Sequence, residues 1–292
     1  MLGTGGQSVV WAAVDRRDGR PVAVKAAAGP AASGAGFSLE APGARLRREA
    51  AVLARVSSPH VVALVEAGED PELGFCLVLQ VVPGVPLVRL LRDGRGLPVR
   101  DALAVVEQVA LGLRAIHAAG YVVRDLAAGQ VLVQRDGARL NATLVDLGLA
   151  RGSQSESRLT DPGRIAGTPG STAPEVASGS EIGPSADVYS LAALAWTMLS
   201  GKAPFGAAGA EAAYALQLAG HPGRLEALEG LGPEAAIAVE NVLRRGLDVL
   251  PENRPADPVE LARMLAAAVE TTGAGLLARV LSRLRRPGRG RG

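Results

Sequence analysis

Short apolar stretches separated by turn residues dominate the first third of the chain. Residues 8–14 are rich in Val and Ala, residues 20–25 alternate in character, and residues 60–82 contain further apolar runs that end at Pro83-Gly84. Runs of this kind, bounded by Gly and Pro, are typical of β-strands. We therefore predict a strand, a Gly-rich turn and two more strands at the start, followed later by two or three strands.

One helix is predicted inside this strand-rich region. Residues 45–56 carry Leu46, Ala50 and Leu53 at intervals of three and four, which places them on one helical face. The preceding residues 26–44 are rich in Ala, Gly, Pro and Ser and are predicted to be a connector.

Helical spacing takes over after residue 100. The first such segment has apolar residues at intervals of three and four, namely Leu103, Val106, Ala110, Leu113 and Ile116. We predict Asp101 as its N-cap, because a side-chain oxygen there can accept a free backbone N–H, and Gly120 as its end. Two short strands are predicted at residues 131–133 and 143–145 around a turn at Asp136-Gly137.

The remainder is predicted to be mostly helical. Residues 151–172 are polar and Gly-rich and are predicted to form a long loop. The helical segments that follow are residues 185–200, 210–219, 234–245 and 258–269. The pattern as a whole predicts an α+β protein with a strand-rich first third and a helical remainder.

Composition limits the compartment and the partners. Of the 292 residues 48% are hydrophobic, which is enough for a substantial core, and the single cysteine, Cys76, excludes an intramolecular disulfide. The longest uncharged apolar run, residues 188–201, is too short to span a bilayer as a helix. We therefore expect a cytoplasmic protein, and we expect Cys76 to be a small buried apolar residue.

The charge is divided unevenly along the chain. Six arginines and no acids follow Glu270, so the rest of the chain has 25 basic and 29 acidic residues, a net charge of −4. This distribution argues against a nucleic-acid partner. The segment 271–292 is predicted to be a basic amphipathic tail, with an apolar face formed by Leu276, Leu277, Val280, Leu281 and Leu284. It could contact a membrane surface peripherally through residues 275–292, dock a partner, or pack onto the rest of the protein.

Candidate chemistry begins with a glycine-rich turn and a lysine. The turn at residues 3–10 frees backbone N–H groups that could approach phosphate oxygens, although an ordinary hairpin turn explains it equally well. Lys25 ends the apolar stretch 22–25 and is one of only two lysines among 31 basic residues. Glu49 on the predicted helix could supply its counter-charge, although a solvated helix face is the usual role of such a residue.

The order of the motifs resembles the eukaryotic-type (Hanks-type) serine/threonine protein kinase domain of bacteria. The segments that carry the resemblance are the Gly-rich loop 3–10, Lys25, Glu49, the hinge 79–82, the catalytic loop 123–126, the metal-binding triplet 146–148, the activation-segment residues 167–169 and 173–175, the helix 187–191, and Arg254. They occur in the family's order and at similar spacings over about residues 2–268.

The resemblance implies a role for each matching residue. Asp125 is implied as the catalytic residue, and Asp146 and Gln130 as metal ligands. The residues implied to bind ATP are Gly3, Gly5, Val10, Ala23, Lys25, Glu49, Gln80, Val82 and Leu132. Those with an implied structural or regulatory role are Arg124, Thr168, Glu175, Asp187 and Arg254. The implied cofactors are ATP and Mg²⁺ or Mn²⁺.

The catalytic loop departs from the family pattern. Val123 replaces the family's histidine, Ala127 replaces the lysine two residues after the catalytic aspartate, and Gln130 replaces the metal-binding asparagine. The tyrosine-kinase form of this loop carries an arginine where Gly129 stands. Neither form of the loop therefore supplies a cation here. Because Met1 lies only two residues before Gly3, we expect either that the true start lies upstream or that the first strand is cut short.

The sequence thus predicts a two-lobed α+β protein-kinase-like fold, with a small β-rich N-lobe (1–82), a large helical C-lobe (83–270) and the tail (271–292). The resemblance implies a serine/threonine protein kinase of reduced activity that acts on a protein substrate. The alternative is a pseudokinase, an ATP-binding scaffold that docks partners. A small-molecule phosphotransferase is disfavoured by the Ala173-Pro174-Glu175 segment.

Overall fold

A five-stranded antiparallel sheet forms the first part of the protein. The computed structural model describes residues 1–4, 8–28, 43–147, 150–152, 170–206, 209–225, 228 and 230–270. The strands of this sheet are β1 (Gly3–Thr4), β2 (Ser8–Val14), β3 (Pro21–Ala27), β4 (Leu64–Asp70) and β5 (Gly74–Gln80), in the spatial order β1-β2-β3-β5-β4. The predicted strands are confirmed, and β1 is only two residues long.

Helix α1 (Ala44–Leu53) packs against this sheet. It starts after Gly43, whose φ of 85° lies in the left-handed region that glycine adopts without strain. Leu46 and Leu53 are buried and Ala50 is half-buried, so the predicted apolar face is confirmed. Glu49 is buried on the same helix, a position that needs a partner for its charge.

The rest of the described chain is mainly helical. Its helices are α2 (Val99–Ala118), α3 (Pro174–Ser178), α4 (Ser185–Ser200), α5 (Ala210–Leu218), α6 (Pro233–Gly246) and α7 (258–270). Helix α4 is buried along nearly its whole length, and α2 and α6 both pack against it. The predicted helices of this part are confirmed, with ends that differ by up to three residues, whereas the short α3 was not predicted.

Two small sheets of short strands accompany the helices. Strands β6 (Val85–Pro86), β8 (Val131–Asp136) and β9 (Arg139–Leu144) form a three-stranded sheet, and β7 (Tyr121–Val122) pairs with β10 (Arg151–Gly152). The predicted turn at Asp136-Gly137 joins β8 to β9. The pairing of β8 with β9 places Val131 and Val133 in the core and leaves Leu132 on the opposite face.

The predicted cap of α2 is wrong. The helix begins at Val99, directly after Pro98, so Asp101 lies in its first turn and not at the N-cap. Proline fixes its own φ and has no N–H to satisfy, which makes it an effective start for a helix. Asp101 accepts a hydrogen bond from Arg135 instead, and its charge still suits the positive end of the helix dipole.

A β-rich first part and a helical second part confirm the predicted α+β class. Within the described ranges, no helix is both long enough and apolar enough to cross a membrane. The tail 271–292 and the loop residues 153–169 lie outside the described residues, as do most of the predicted connector residues.

Candidate active site

Lys25 forms a buried ion-pair cluster where β3 meets α1. It lies opposite Val10 on β2 and Leu77 on β5, and its side chain is only 5% exposed. Its Nζ atom donates to Glu49 Oε1 at 2.8 Å and Oε2 at 2.7 Å, and to Asp146 Oδ1 at 3.0 Å. One ammonium group therefore links the sheet, the helix and the segment that follows β9.

Burial is the main influence on the pKa of the Glu49 carboxyl. Burial raises the pKa of its carboxyl above the usual range, while the charge of Lys25 acts in the opposite direction. The backbone N–H of Leu147 also donates to Glu49 Oε1, at 3.4 Å. A carboxylate in this position is tolerated because Lys25 contacts both of its oxygens.

Asp146 is the most accessible member of the cluster. Its side chain is 35% exposed, against 5% for Lys25 and 1% for Glu49. The guanidinium of Arg45, one helical turn before Glu49, approaches Asp146 Oδ1 to 3.9 Å. The cluster thus has a buried end at Glu49 and an open end at Asp146.

The other residues implied to bind ATP lie on two of the sheets and at their ends. Ala23 precedes Lys25 by two positions on β3 and is buried, and Val10 on β2 and Leu132 on β8 are half-buried. Gln80 ends β5, where its N–H donates to Ala63 O at 2.9 Å, and the half-buried Val82 follows. At the other end of the sheet Gly3 pairs with Val10, whereas Gly5 lies outside the described residues.

The backbone of the catalytic loop is held by Asp187 of α4. Asp187 is fully buried and accepts hydrogen bonds from Val123 N at 2.9 Å and Arg124 N at 2.7 Å, while His117 Nε2 lies 2.7 Å from its Oδ2. Arg124 has a φ of 73°, the only positive value at a non-glycine residue in the described chain. Such a conformation costs about 1–3 kcal/mol and persists only where neighbouring groups enforce it. Asp187 therefore fixes the residue directly before Asp125.

Asp125 faces the end of the activation segment. Its Oδ1 accepts a hydrogen bond from Thr172 Oγ1 at 2.8 Å. Thr172 is buried, and its backbone oxygen accepts a hydrogen bond from Gln217 of α5. The carboxylate is thus already bound to one hydroxyl group, the same type of group that a serine or threonine substrate would present.

Ala127 and Gln130 contact each other. Gln130 Oε1 accepts a hydrogen bond from Ala127 N at 2.7 Å, and Gln130 N donates to Ala127 O at 3.0 Å. The side-chain oxygen predicted to bind metal therefore already has a partner in the loop. A carboxamide oxygen has two lone pairs, so this bond leaves one acceptor position.

Glu175 and Arg254 form a second buried ion pair, away from the cluster of Lys25. Arg254 donates to both carboxylate oxygens, at 2.6 and 2.9 Å, with its own side chain fully buried. It also donates to Ser185 O and stacks over the ring of Tyr189, 4.9 Å from the centroid. This planar fork geometry is specific to arginine, and it ties α3 to the start of α4.

Two residues of the site are not predicted from the sequence. His117 is one of three histidines and lies in the last turn of α2, where its sequence position suggests only a helical residue. Thr172 contacts Asp125, whereas the predicted threonine, Thr168, lies outside the described residues. No local pattern marks Thr172, since its contact with Asp125 joins residues 47 positions apart.

The donor set fits a nucleotide with one divalent cation better than with two. Lys25 offers an ammonium group to phosphate oxygens, and Asp146 offers a carboxylate, the hard oxygen ligand that Mg²⁺ prefers. Gln130 offers a weaker second ligand, because its oxygen already accepts from Ala127 N. Ala127 supplies no charge at all.

Comparison with known proteins identifies the family of the chain. The family model described as "Protein kinase domain" matches residues 1–244. The chain is 36% identical over 214 residues to serine/threonine-protein kinase PknA of Mycobacterium tuberculosis, which covers 72% of this chain and 48% of that protein. It is 31% identical over 266 residues to probable serine/threonine-protein kinase pknA2 of Bifidobacterium longum, which covers 91% of this chain and 34% of that protein.

A third relative has a similar sequence identity. Serine/threonine-protein kinases drp72 of Corynebacterium efficiens is 36% identical over 209 residues, which is 70% of this chain and 38% of that protein. The chain thus spans between about a third and a half of the length of these relatives. The family match covers most of the chain and agrees with the α+β architecture. The chain therefore belongs to the protein kinase domain family, of the Hanks type found in bacteria.

Proposed function

We propose that this chain is a serine/threonine protein kinase of reduced activity, which transfers the γ-phosphate of ATP to a protein hydroxyl. The observation that carries the proposal is the complete cluster of Lys25, Glu49 and Asp146, with Asp125 bound to a threonine hydroxyl. Phosphoryl transfer depends mainly on positioning and charge neutralisation. The cluster supplies the positioning, and the catalytic loop supplies less charge than is usual.

The residues that bind ATP in this proposal contact either its phosphates or its adenine ring. Lys25 binds the α- and β-phosphates, and Glu49 keeps the Lys25 ammonium in place. Gly3 and Gly5 belong to the loop that covers the phosphates. The adenine ring lies between Val10, Ala23 and Leu132, next to the hinge residues Gln80 and Val82.

The metal-binding residues are Asp146 and Gln130. A bound Mg²⁺ or Mn²⁺ supplies charge neutralisation on the phosphates. Asp146 presents its carboxylate at the open end of the cluster, and Gln130 presents the carboxamide oxygen that also accepts from Ala127 N. Mn²⁺ tolerates imperfect coordination better than Mg²⁺, so we expect the enzyme to prefer Mn²⁺.

Asp125 acts on the substrate hydroxyl. It orients that group and accepts its proton as the oxygen attacks phosphorus. The hydroxyl of Thr172 now occupies Oδ1, so a substrate must share this carboxylate or displace Thr172. Arg124, whose backbone is held by Asp187, binds a phosphate on the activation segment, which includes Thr168. The buried Glu175–Arg254 pair anchors the helix that follows this segment.

The reduced rate follows from Ala127 and Gln130. Loss of a positive group near the transferred phosphate costs about 2–4 kcal/mol of transition-state stabilisation, by analogy with the loss of other such donors. A misplacement of a ligand by about 1 Å costs roughly another 100-fold. The preference for serine and threonine rests on the Gly167-Thr168-Pro169 sequence.

A pseudokinase is the alternative, and the same two substitutions favour it. In that case nucleotide closes the cleft and presents a docking surface, without transfer. The relatives are named as kinases, which supports the enzyme. Incubation with labelled ATP and Mg²⁺ or Mn²⁺ separates the two: the enzyme predicts label on the protein that Asp125→Asn abolishes, and label that persists in Asp125→Asn contradicts the role of Asp125.

The chain divides in this proposal into an N-lobe (1–82), a C-lobe (83–270) and a tail (271–292). The tail contacts an anionic membrane surface from the cytoplasmic side, because its leucines and arginines form a basic amphipathic segment. The competing possibility is packing of those leucines into a groove of about 470 Å³ beside the end of α7, lined by Val99, Leu103, Leu231 and Val269.

Vesicle co-sedimentation distinguishes these two. Membrane contact predicts binding to anionic vesicles that falls as salt rises. Packing predicts no binding, together with a lower melting temperature after truncation at Thr272.

A further inference from the structure

A cavity at the C-terminal end of α4 is lined by none of the residues that are proposed to bind ATP. It has a volume of about 270 Å³ and lies between the end of α4, the loop at residues 202–206, α5, and residues 221–224. Its lining combines an apolar floor with a basic rim, formed by Trp196, Phe205, Leu216, Lys202, His221 and Arg224. Trp196 and Phe205 are buried, while the three basic residues are exposed.

The charge of this cavity has one sign. None of its described lining residues is acidic, whereas Lys202 and Arg224 are cationic. The nearby Arg244 stacks over Trp196 at 5.8 Å, and Glu240 accepts two of its hydrogen bonds, at 2.9 and 2.7 Å. Lys202 is one of two lysines in an arginine-rich chain, and the other, Lys25, lies in the nucleotide cluster. Because Lys202 and Arg224 are exposed, the positive charge of the lining lies at the rim of the cavity.

The elements that line the cavity also support the segment beside Asp125. Gln217 of α5 donates to the backbone oxygen of Thr172, whose hydroxyl donates to Asp125. A Cβ atom added at Gly170 would lie 3.5 Å from Cβ of Phe205. The cavity is therefore lined by elements that contact residues 170 and 172, and Thr172 is the residue whose hydroxyl donates to Asp125.

We propose that this cavity is a docking pocket for an acidic segment of the protein substrate. An aromatic or aliphatic side chain of that segment enters the cavity, and carboxylates flank this side chain in the segment. The floor offers burial to the apolar side chain, and Lys202 and Arg224 pair with the carboxylates. The inference rests on the proposed function, because it names the class of substrate. Charge complementarity at the rim selects this class and repels basic segments.

Trp196 provides a direct binding signal. The chain has two tryptophans, so a Trp11→Phe background leaves Trp196 as the only indole. The probe is a blocked pentapeptide, Glu-Asp-Phe-Asp-Glu, and its uncharged counterpart is Gln-Asn-Phe-Asn-Gln. We expect a saturable change of Trp196 emission with the acidic peptide, weakened by salt, and at least tenfold weaker binding of the uncharged one.

Charge reversal tests the rim. The double variant Lys202→Glu/Arg224→Glu should bind the acidic peptide at least tenfold more weakly. The matched control Arg114→Glu/Arg263→Glu, at exposed arginines on α2 and α7, should bind it as the parent does. Equal binding of both peptides, equal affinity of both double variants, or no binding by the folded parent would overturn the proposal.

Kinetics separate this inference from the kinase proposal. With a protein substrate that carries the acidic pentapeptide, the rim variant should raise KM and leave kcat unchanged. If the chain transfers no phosphate, the fluorescence titration still decides whether the pocket exists. If it transfers phosphate while the titration fails, the pocket is wrong and the kinase proposal stands.

Discussion

The cluster of Lys25, Glu49 and Asp146 and the catalytic loop differ in which of the family's side chains they retain. In the cluster of Lys25, Glu49 and Asp146 every charged group has a partner within 3.0 Å. In the catalytic loop Asp125 is present, but Ala127 and Gln130 replace a cation and a shorter ligand. Under the proposed function, the first region keeps the residues that bind the nucleotide, and the second lacks a cation that would stabilise charge during transfer.

The backbone of the catalytic loop does not share this deficit. Asp187 accepts from both Val123 N and Arg124 N, and it enforces the left-handed conformation of Arg124. Val123, which replaces the family's histidine, is buried in the apolar core. The difference between the two regions therefore lies in a few side chains, which single substitutions can restore.

The largest expected effect comes from Asp187→Ala. This change leaves the buried N–H groups of Val123 and Arg124, together with His117, without their acceptor. Each buried donor left unsatisfied costs about 1–3 kcal/mol, so the two N–H groups together cost about 2–6 kcal/mol. Chemical denaturation should show this loss of stability. Asp136→Ala, at the exposed turn of β8 and β9, should change it by less than about 0.5 kcal/mol. A small effect at Asp187 would mean that the loop is not held as described.

Lys25→Met tests the nucleotide cluster. Hydrogen bonds to charged groups contribute about 1.5–3 kcal/mol, so affinity for Mg-ATP should fall about 10- to 150-fold. Calorimetric titration measures this, with Lys202→Met as the matched control because it removes the other lysine. Unchanged affinity in Lys25→Met, or an equal loss in both variants, would contradict the assignment of the cluster.

A smaller, pH-dependent effect is expected at Glu49. Because burial raises the pKa of this carboxyl, the folded protein binds its proton more tightly than the unfolded chain does. The stability that this protonation contributes is present below the ordinary glutamate pKa and is lost as pH rises through the folded pKa. The melting temperature of the wild type relative to Glu49→Gln should therefore fall as pH rises above the ordinary glutamate pKa of about 4.3.

The control for this pH series is Glu181→Gln. Glu181 is exposed, so its substitution should give a difference from wild type that is flat with pH. An opposite slope for Glu49→Gln would show that Lys25 stabilises the charged form more than burial disfavours it.

The sequence carried enough information for the fold. Apolar stretches predicted α4 and β2 to the residue and β3 to within two residues, whereas β8 extends three residues beyond its predicted end. It misplaced the start of α2, since Asp101 looked like a cap and Pro98 begins the helix. Capping depends on local geometry that two acceptable residues can each satisfy.

The site was harder to predict where contacts are long-range. Lys25 and Glu49 could be paired by their motifs, but the contact of Asp125 with Thr172 and that of His117 with Asp187 join distant segments. The hydrogen bond from Ala127 N to Gln130 Oε1 was also not predicted, because the resemblance implied only a metal ligand at this position. Hydrogen-bond partners of this kind follow from packing and not from residue type.

The most direct test restores the depleted side chains in one protein. Ala127→Lys with Gln130→Asn should raise phosphorylation of the chain itself or of a generic protein substrate well above wild type, and by more than the product of the single effects, because both positions act on one phosphate and one metal. Affinity for Mg-ATP should stay within a few-fold of wild type. The account is contradicted if the wild type transfers no phosphate and the double variant still binds nucleotide but also transfers none. The chain would then be a nucleotide-binding pseudokinase.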